Sequence, residues 1–183
     1  MAERDDAVSA LRAPAIVTGI GLGGFFDGIV LHQVFQLHHM LSNTGADRFG
    51  LAVYDEGTVA GLRTNVLWDG LFHVATYLFV LVGLLLLWRA LRRTAPPHLP
   101  WRLLWGGLLA GWGIFNLVEG VVDHHILAVH HVYDTGDATT TLLLDLLFLA
   151  SGVVLMFVGW SMMRSSTRAA GAVDRRPAVP RSA

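Results

Sequence analysis

Two stretches of this chain carry residues that could do chemistry. The first is Asp27-Gly28-Ile29-Val30-Leu31-His32-Gln33-Val34-Phe35-Gln36-Leu37-His38-His39. The second is Glu119-Gly120-Val121-Val122-Asp123-His124-His125-Ile126-Leu127-Ala128-Val129-His130-His131, aligned to the first without a gap at an offset of 92 residues (119 − 27). The shared pattern is acid-Gly, a His five residues after the acid, then His-His. Apolar repeats arise easily in membrane proteins, whereas a repeated spacing of one carboxylate and three imidazoles does not. Two further acids and a His accompany them: Asp69 and His73 one helical turn apart, and Asp145. Imidazole with carboxylate, and no thiolate, is a ligand set for Zn, Cu(II), Fe or Mn. The chain has no Cys, which excludes disulfides, thiol catalysis and Cys-held clusters, so any metal must be held by N and O atoms.

The charges point the same way. Asp27, Asp69, Glu119, Asp123 and Asp145 fall within apolar stretches whose interiors hold no Lys or Arg. A bare carboxylate in hydrocarbon costs at least about 2.5–3.5 kcal/mol. Protons, the histidines or a bound metal must offset that cost. No nucleophile–base pair and no phosphate-binding loop is visible, so no reaction is assigned.

The elements that must position these residues are membrane spans. The 183 residues are 54% hydrophobic and 15% charged, with a positive mean hydropathy, too apolar for a typical soluble domain. The net charge of −1 argues against a nucleic-acid partner. Apolar segments run over about 14–40, 66–88, 101–132 and 140–163, each long enough to cross a bilayer, for which about 20 residues suffice. The predicted fold is all-α: a four-helix transmembrane bundle over 14–164, with a polar tail over 1–13 and a disordered tail over 165–183. Residues 42–65 read as a loop, and Asp137 or Thr139 as the cap of the fourth helix. The Gly-rich first span (Gly19, Gly21, Gly23, Gly24, Gly28) invites close approach of another helix.

Arginine placement orients the bundle. Arg89, Arg92, Arg93 and Arg102 cluster between spans two and three, and Arg164, Arg168, Arg175, Arg176 and Arg181 follow span four. Both regions are expected to be cytoplasmic, with both termini inside. Asp69-Gly70-Leu71-Phe72 also matches Asp145-Leu146-Leu147-Phe148, so the chain reads as a tandem duplication of a two-helix hairpin with a pseudo-twofold along the membrane normal.

This topology puts every His except His98 in the outer half. At about 1.5 Å per residue, His32 and His124 lie roughly 10 Å below the outer helix ends, and His73 roughly 7–8 Å. Asp145 reaches a similar level. Three imidazoles and one carboxylate from four helices are thus expected in one layer. His38, His39, His130 and His131 are expected at the mouth. On an ideal helix Asp27 and His32 point about 140° apart. Either they face different neighbours, or a π-bulge swings them together; the reading adopted is different neighbours. The leading expected ligands are then His32, His73 and His124, with Asp145, and the candidate metal residues extend to Glu119, Asp27, Asp69, His38, His39, His125, His130 and His131. Asp27 and Glu119 become deeper partners or proton carriers, and Asp69 holds a ligand's other ring nitrogen.

The His-His doublets resemble the histidine boxes of membrane di-iron desaturases and hydroxylases, without the helix-spaced HxxxH box. Gly24-Phe25-Phe26-Asp27-Gly28-Ile29-Val30-Leu31-His32-Gln33, Trp68-Asp69-Gly70-Leu71-Phe72-His73 and Phe115-Asn116-Leu117-Val118-Glu119-Gly120-Val121-Val122-Asp123-His124-His125 resemble a family of bacterial four-helix membrane proteins catalogued as a domain of unknown function. The resemblance covers about residues 14–164. It implies a multi-pass protein of the bacterial cytoplasmic membrane, a lipid bilayer environment, and respiratory oxidase assembly components as partners, which would favour copper. The leading reading is a protein that binds a transition metal (Cu, Fe or Zn) for metal handling or redox chemistry. The alternatives are a haem-b protein with axial ligands among His32, His73 and His124, or a cofactor-free proton or ion pathway.

Overall fold

The computed structural model describes residues 9–43, 58–96, 98–133 and 137–174, with side chains to residue 166. The chain is all-α among these residues. Helix α1 (Arg12–Phe26) passes without a break into a π-helix over Asp27–Val34. Helix α2 spans Val59–Thr94. Helix α3 (Trp101–Glu119) passes into a second π-helix over Gly120–Ile126, and α4 spans Ala138–Asp174. Among the described residues, four helices are long and apolar enough to cross a membrane.

The helices pack in the spatial order α2, α1, α3, α4. Helices α1 and α3 are the inner pair, about half buried, while most of α2 and α4 is exposed. The exposed faces are continuous aliphatic and aromatic surface, including Leu81, Leu84, Leu85, Val153, Val154 and Phe157. Such a surface suits hydrocarbon and not water. Between α1 and α3 the backbones nearly touch. A Cβ at Gly19 would sit inside the backbone carbonyl of Leu108, and one at Gly111 inside that of Ile16. Only glycine allows this approach, which is how membrane helices gain packing contact without a hydrophobic driving force.

The interior is divided by chemistry. Leu11, Ala15, Leu103, Leu104, Ala110 and Met163 form a small apolar core toward one end. The other end buries His32, His38, His124, His130, Asp27, Asp69, Glu119 and Asp145. Helix limits depart from expectation at several places. The first and third helices stop at Val34 and Ile126, short of 40 and 132, because Gln36 (φ 51°) and Ala128 (φ 48°) take left-handed conformations that no helix can continue through. Helix α2 begins within the stretch read as a loop, where Thr58 accepts a hydrogen bond from the Gly61 N–H at 3.0 Å and caps it. Residues 44–57 of that stretch lie outside the described residues. Asp137 caps α4, accepting from the Thr140 N–H at 3.0 Å. The Thr140 hydroxyl and N–H together hold the exposed Asp137 carboxyl below the usual carboxylate range. Helix α4 runs on to Asp174, into the stretch read as a disordered tail, where alanines favour helix and no proline intervenes before Pro177.

Candidate metal centre

The site is built by a change of helical register. In an α-helix, residues five apart point away from one another. In a π-helix, with its i→i+5 bonds, they stack. Both π-helices begin at or just after the acid of the repeat, and each His of interest lies five residues beyond that acid. The result is Asp27 Oδ2 at 3.0 Å from His32 Nε2. This corrects the expectation that the two side chains face different neighbours, which assumed ideal α geometry throughout. The same terminal hydrogen bonds close both segments. Phe35 N–H donates to Val30 O (2.9 Å) and Leu37 N–H to Leu31 O (3.0 Å). Ninety-two residues on, Leu127 N–H donates to Val122 O (2.7 Å) and Val129 N–H to Asp123 O (3.0 Å).

After each left-handed residue the chain turns inward and splits the His-His doublet. The first His of each pair, His38 and His130, is buried against the partner repeat. His38 Nδ1 pairs with Val132 O at 2.9 Å, and His130 Nδ1 with Met40 O at 3.2 Å. The second His of each pair holds a carboxylate: His39 Nδ1 with Asp69 Oδ2 at 2.6 Å, and His131 Nδ1 with Asp145 Oδ2 at 2.7 Å. Each of these acids also accepts a backbone N–H at 2.9 Å, from Met40 and from Val132. Each further approaches the deep imidazole of its own half. His32 Nδ1 donates to Asp69 Oδ1 at 3.0 Å, and His124 Nδ1 lies 3.2 Å from Asp145 Oδ1.

These contacts fix the tautomers. A carbonyl or a carboxylate oxygen only accepts, so a neutral imidazole facing one through Nδ1 carries its proton there. The lone pair is then on Nε2. The Nε2 atoms of His38, His73, His124 and His130 are buried without a hydrogen-bond partner, His130 Nε2 lying 3.6 Å from Glu119 Oε1. His32 differs: with Nδ1 on Asp69 and Nε2 at 3.0 Å from Asp27 Oδ2, it shares a proton with Asp27 that a metal ion would have to replace. Both oxygens of Glu119 are likewise buried without a hydrogen-bond partner. Native interiors seldom leave buried polar atoms unpaired. Here the unpaired atoms other than His73 Nε2 converge. His32, His38 and His130, then Glu119, His124 and His130, then Asp27, His32 and Glu119 form three trios, each offering ligand atoms within 4.8 Å of one another. The rings crowd the interior, with His32 and His38 centroids 4.3 Å apart, His38 stacked on His130 at 4.7 Å, and His124 at 4.9 Å from His130. Phe72 stacks on His32 and Phe148 packs on His124, forming apolar walls on either side.

Several expected positions change. His73 joins none of the trios. Its Nδ1 donates to Asp69 O on its own helix at 2.7 Å, and its ring packs against Phe25 and Phe72. Local i,i+4 bonding, together with the tight fit of Gly28 against its Nε2, holds it outside the cluster. Asp145 likewise supports His124 and His131 and belongs to no trio, and Asp69 is its counterpart. His38 and His130 are deep inside and not at the mouth. His125 is exposed and lines a cavity of about 370 Å³ with Asn43, Thr141, His131 and Asp145. His98 is exposed elsewhere. Two supporting residues went unrecognised in the sequence. Asn65 accepts the Leu41 N–H at 3.1 Å, and Thr141 donates to Tyr133 O at 3.3 Å. Both lie one helical turn before Asp69 and Asp145, a spacing that could have singled them out.

Four apolar helices enclosing a polar cluster at one end define a multi-helix membrane protein. The chain belongs to the DUF2243 family of predicted membrane proteins, whose family model matches residues 14–166. No curated protein and no solved structure matches the chain.

Proposed function

We propose that this chain is a membrane-embedded protein that binds a transition metal (Cu, Fe or Zn) among His32, His38, His124, His130, Asp27 and Glu119, for metal handling or metal-dependent redox chemistry. The observation that carries this reading is the convergence of the buried, unpartnered Nε2 atoms of His38, His124 and His130 with Glu119 and the Asp27–His32 pair, the Nδ1 atoms of His38 and His130 being committed to carbonyl oxygens that only accept. Asp69 and Asp145 orient the deep ligands from behind, as carboxylates behind metal-bound imidazoles commonly do. On this reading the chain is a tandem duplication whose halves meet at the site. Both termini are cytoplasmic, and the site lies in the outer half of a bacterial cytoplasmic membrane. Crowding of the four imidazoles favours a bare ion over haem, since rings 4.3–4.9 Å apart leave no slot for a macrocycle between them.

The test is elemental analysis of the full chain purified in detergent. Wild-type protein is expected to retain a first-row transition metal, His38→Ala and His130→Ala to lose most of it, and His73→Ala and His98→Ala to keep it. Wild-type protein that stays metal-free after incubation with Cu, Fe and Zn salts would overturn the reading in favour of a proton or ion pathway through the same histidines and acids.

A further inference from the structure

Resting on that reading, we infer that the centre is dinuclear: two divalent ions, one associated with each repeat, with Glu119 and Asp27 between them. The first argument is geometric. An ion with ligands at about 2.0–2.2 Å can gather only donors that lie within about 4.4 Å of one another. The six candidate ligands divide into three overlapping trios and do not form one shell. His32, His130 and Glu119 each belong to two trios, which is the arrangement of a shared, elongated site. Glu119 joins the trio containing Asp27 and His32 to the one containing His124 and His130, so its two unpartnered oxygens are placed to bridge.

The second argument is charge. Asp27, Asp69, Glu119 and Asp145 are each 3% exposed or less. Asp69 accepts on both oxygens, from His32, His39 and Met40. Asp145 accepts on both, from His131 and Val132. That pattern requires both to be carboxylates. Asp27 and Glu119 offer ligand oxygens within 4.8 Å of each other, an unfavourable pairing of like charges without a cation or a shared proton between them. Among the described residues, no Lys or Arg belongs to the buried set. Once metal has replaced the proton held between Asp27 and His32, the imidazoles are neutral and four carboxylates balance two divalent ions. One divalent ion would leave a net charge of −2 in a low-dielectric interior, to be offset by protons on His32 or between Asp27 and Glu119. The repeat makes the same demand, since each half supplies one acid, one deep His and one crossing His.

The experiment is titration of the metal-free full chain in detergent with Co(II), followed by visible absorption and electron paramagnetic resonance. Uptake is expected to saturate at two equivalents per chain, with the resonance intensity per ion falling as the second equivalent enters and couples to the first. Glu119→Gln, close in shape and checked for folding by size exclusion and circular dichroism, is expected to bind one equivalent without coupling. His98→Ala is expected to behave as wild type. Saturation at one equivalent with linear resonance intensity would overturn the dinuclear assignment and leave the metal-binding reading standing. Two coupled ions retained in Glu119→Gln would overturn the bridging role. Absence of any Co(II), Cu or Zn uptake by the wild type would overturn both inferences.

Discussion

Replacing Asp69 with asparagine tests the link between fold and site. Asp69 is buried and accepts three hydrogen bonds, from His32 Nδ1 at 3.0 Å, His39 Nδ1 at 2.6 Å and the Met40 N–H at 2.9 Å. The Asp69→Asn side chain keeps one acceptor oxygen and presents an NH2 where the other stood. An NH2 facing Nδ1 favours the tautomer protonated on Nε2, which removes the lone pair offered to a metal. Loss of a carboxylate behind a metal-bound imidazole typically costs 10–100-fold in affinity, or about 1.4–2.7 kcal/mol. The metal-free fold should also weaken. Hydrogen bonds to a charged group are worth about 1.5–3 kcal/mol each, and one or two are lost here. The assay is competition for metal against a chelator of known affinity, with thermal unfolding measured on metal-free protein. Asp145→Asn should reproduce the affinity loss within about threefold, because its environment repeats that of Asp69. His39→Ala, which leaves the His32 contact intact, should lose less than about threefold. An Asp69→Asn protein with wild-type affinity would refute the claim that this carboxylate sets the His32 tautomer.

Other perturbations bear on the fold and on proton linkage. Ala128 holds φ 48°, a left-handed conformation that costs a residue with a Cβ roughly 1–2 kcal/mol; Ala128→Gly should therefore raise the melting temperature of the metal-free protein, and an unchanged or lower value would contradict the assignment of strain there. Gly111→Leu drives a side chain into the Ile16 carbonyl and should separate α1 from α3, seen as loss of monodisperse protein on size exclusion, whereas Gly70→Leu, with open space around it, should be tolerated. Metal affinity should fall as pH drops from about 7.5 to about 5.5, because protons compete for the same Nε2 lone pairs and binding must then displace them; affinity independent of pH over that range would argue against imidazole ligation.

Much of this architecture is legible in the sequence. Hydropathy and length give the four helices, and the repeat at an offset of 92 residues singles out the acids and histidines that the interior buries. Ligand assignment is harder because it depends on angular position. With 3.6 residues per turn, Asp27 and His32 diverge, and the deep layer is completed with His73 and Asp145. The structure replaces that period by a π register over the residues concerned, which sets Asp27 against His32 and leaves His73 bonded to its own helix. Periodicity cannot signal such a change, since a π segment and an α segment differ by one bond partner per residue and not by composition. The doublets are misplaced for a related reason. A left-handed residue at Gln36 or Ala128 is unexpected for a side chain with a Cβ, and it reverses the chain so that the first His turns inward while the second reaches Asp69 or Asp145.

The two unfavourable local features, a π register and a left-handed non-glycine residue, recur at equivalent positions of both repeats. Strain of this kind persists where surrounding contacts over-determine it, and such places are commonly functional sites. The over-determining contacts run between the repeats. His38 of the first is held by the Val132 carbonyl of the second, and His130 of the second by the Met40 carbonyl of the first. Asn43 reinforces the crossing through its N–H to Val129 O at 2.9 Å. Each half thus fixes a ring nitrogen belonging to the other, and each bond contributes only about 1 kcal/mol. Neither stretch supplies the carbonyl that holds its own first His. The glycine contact of α1 with α3 brings the halves close enough for both crossings to form together. The site is therefore a property of the interface between the repeats, and its acids and imidazoles can stay buried only while the two halves remain locked.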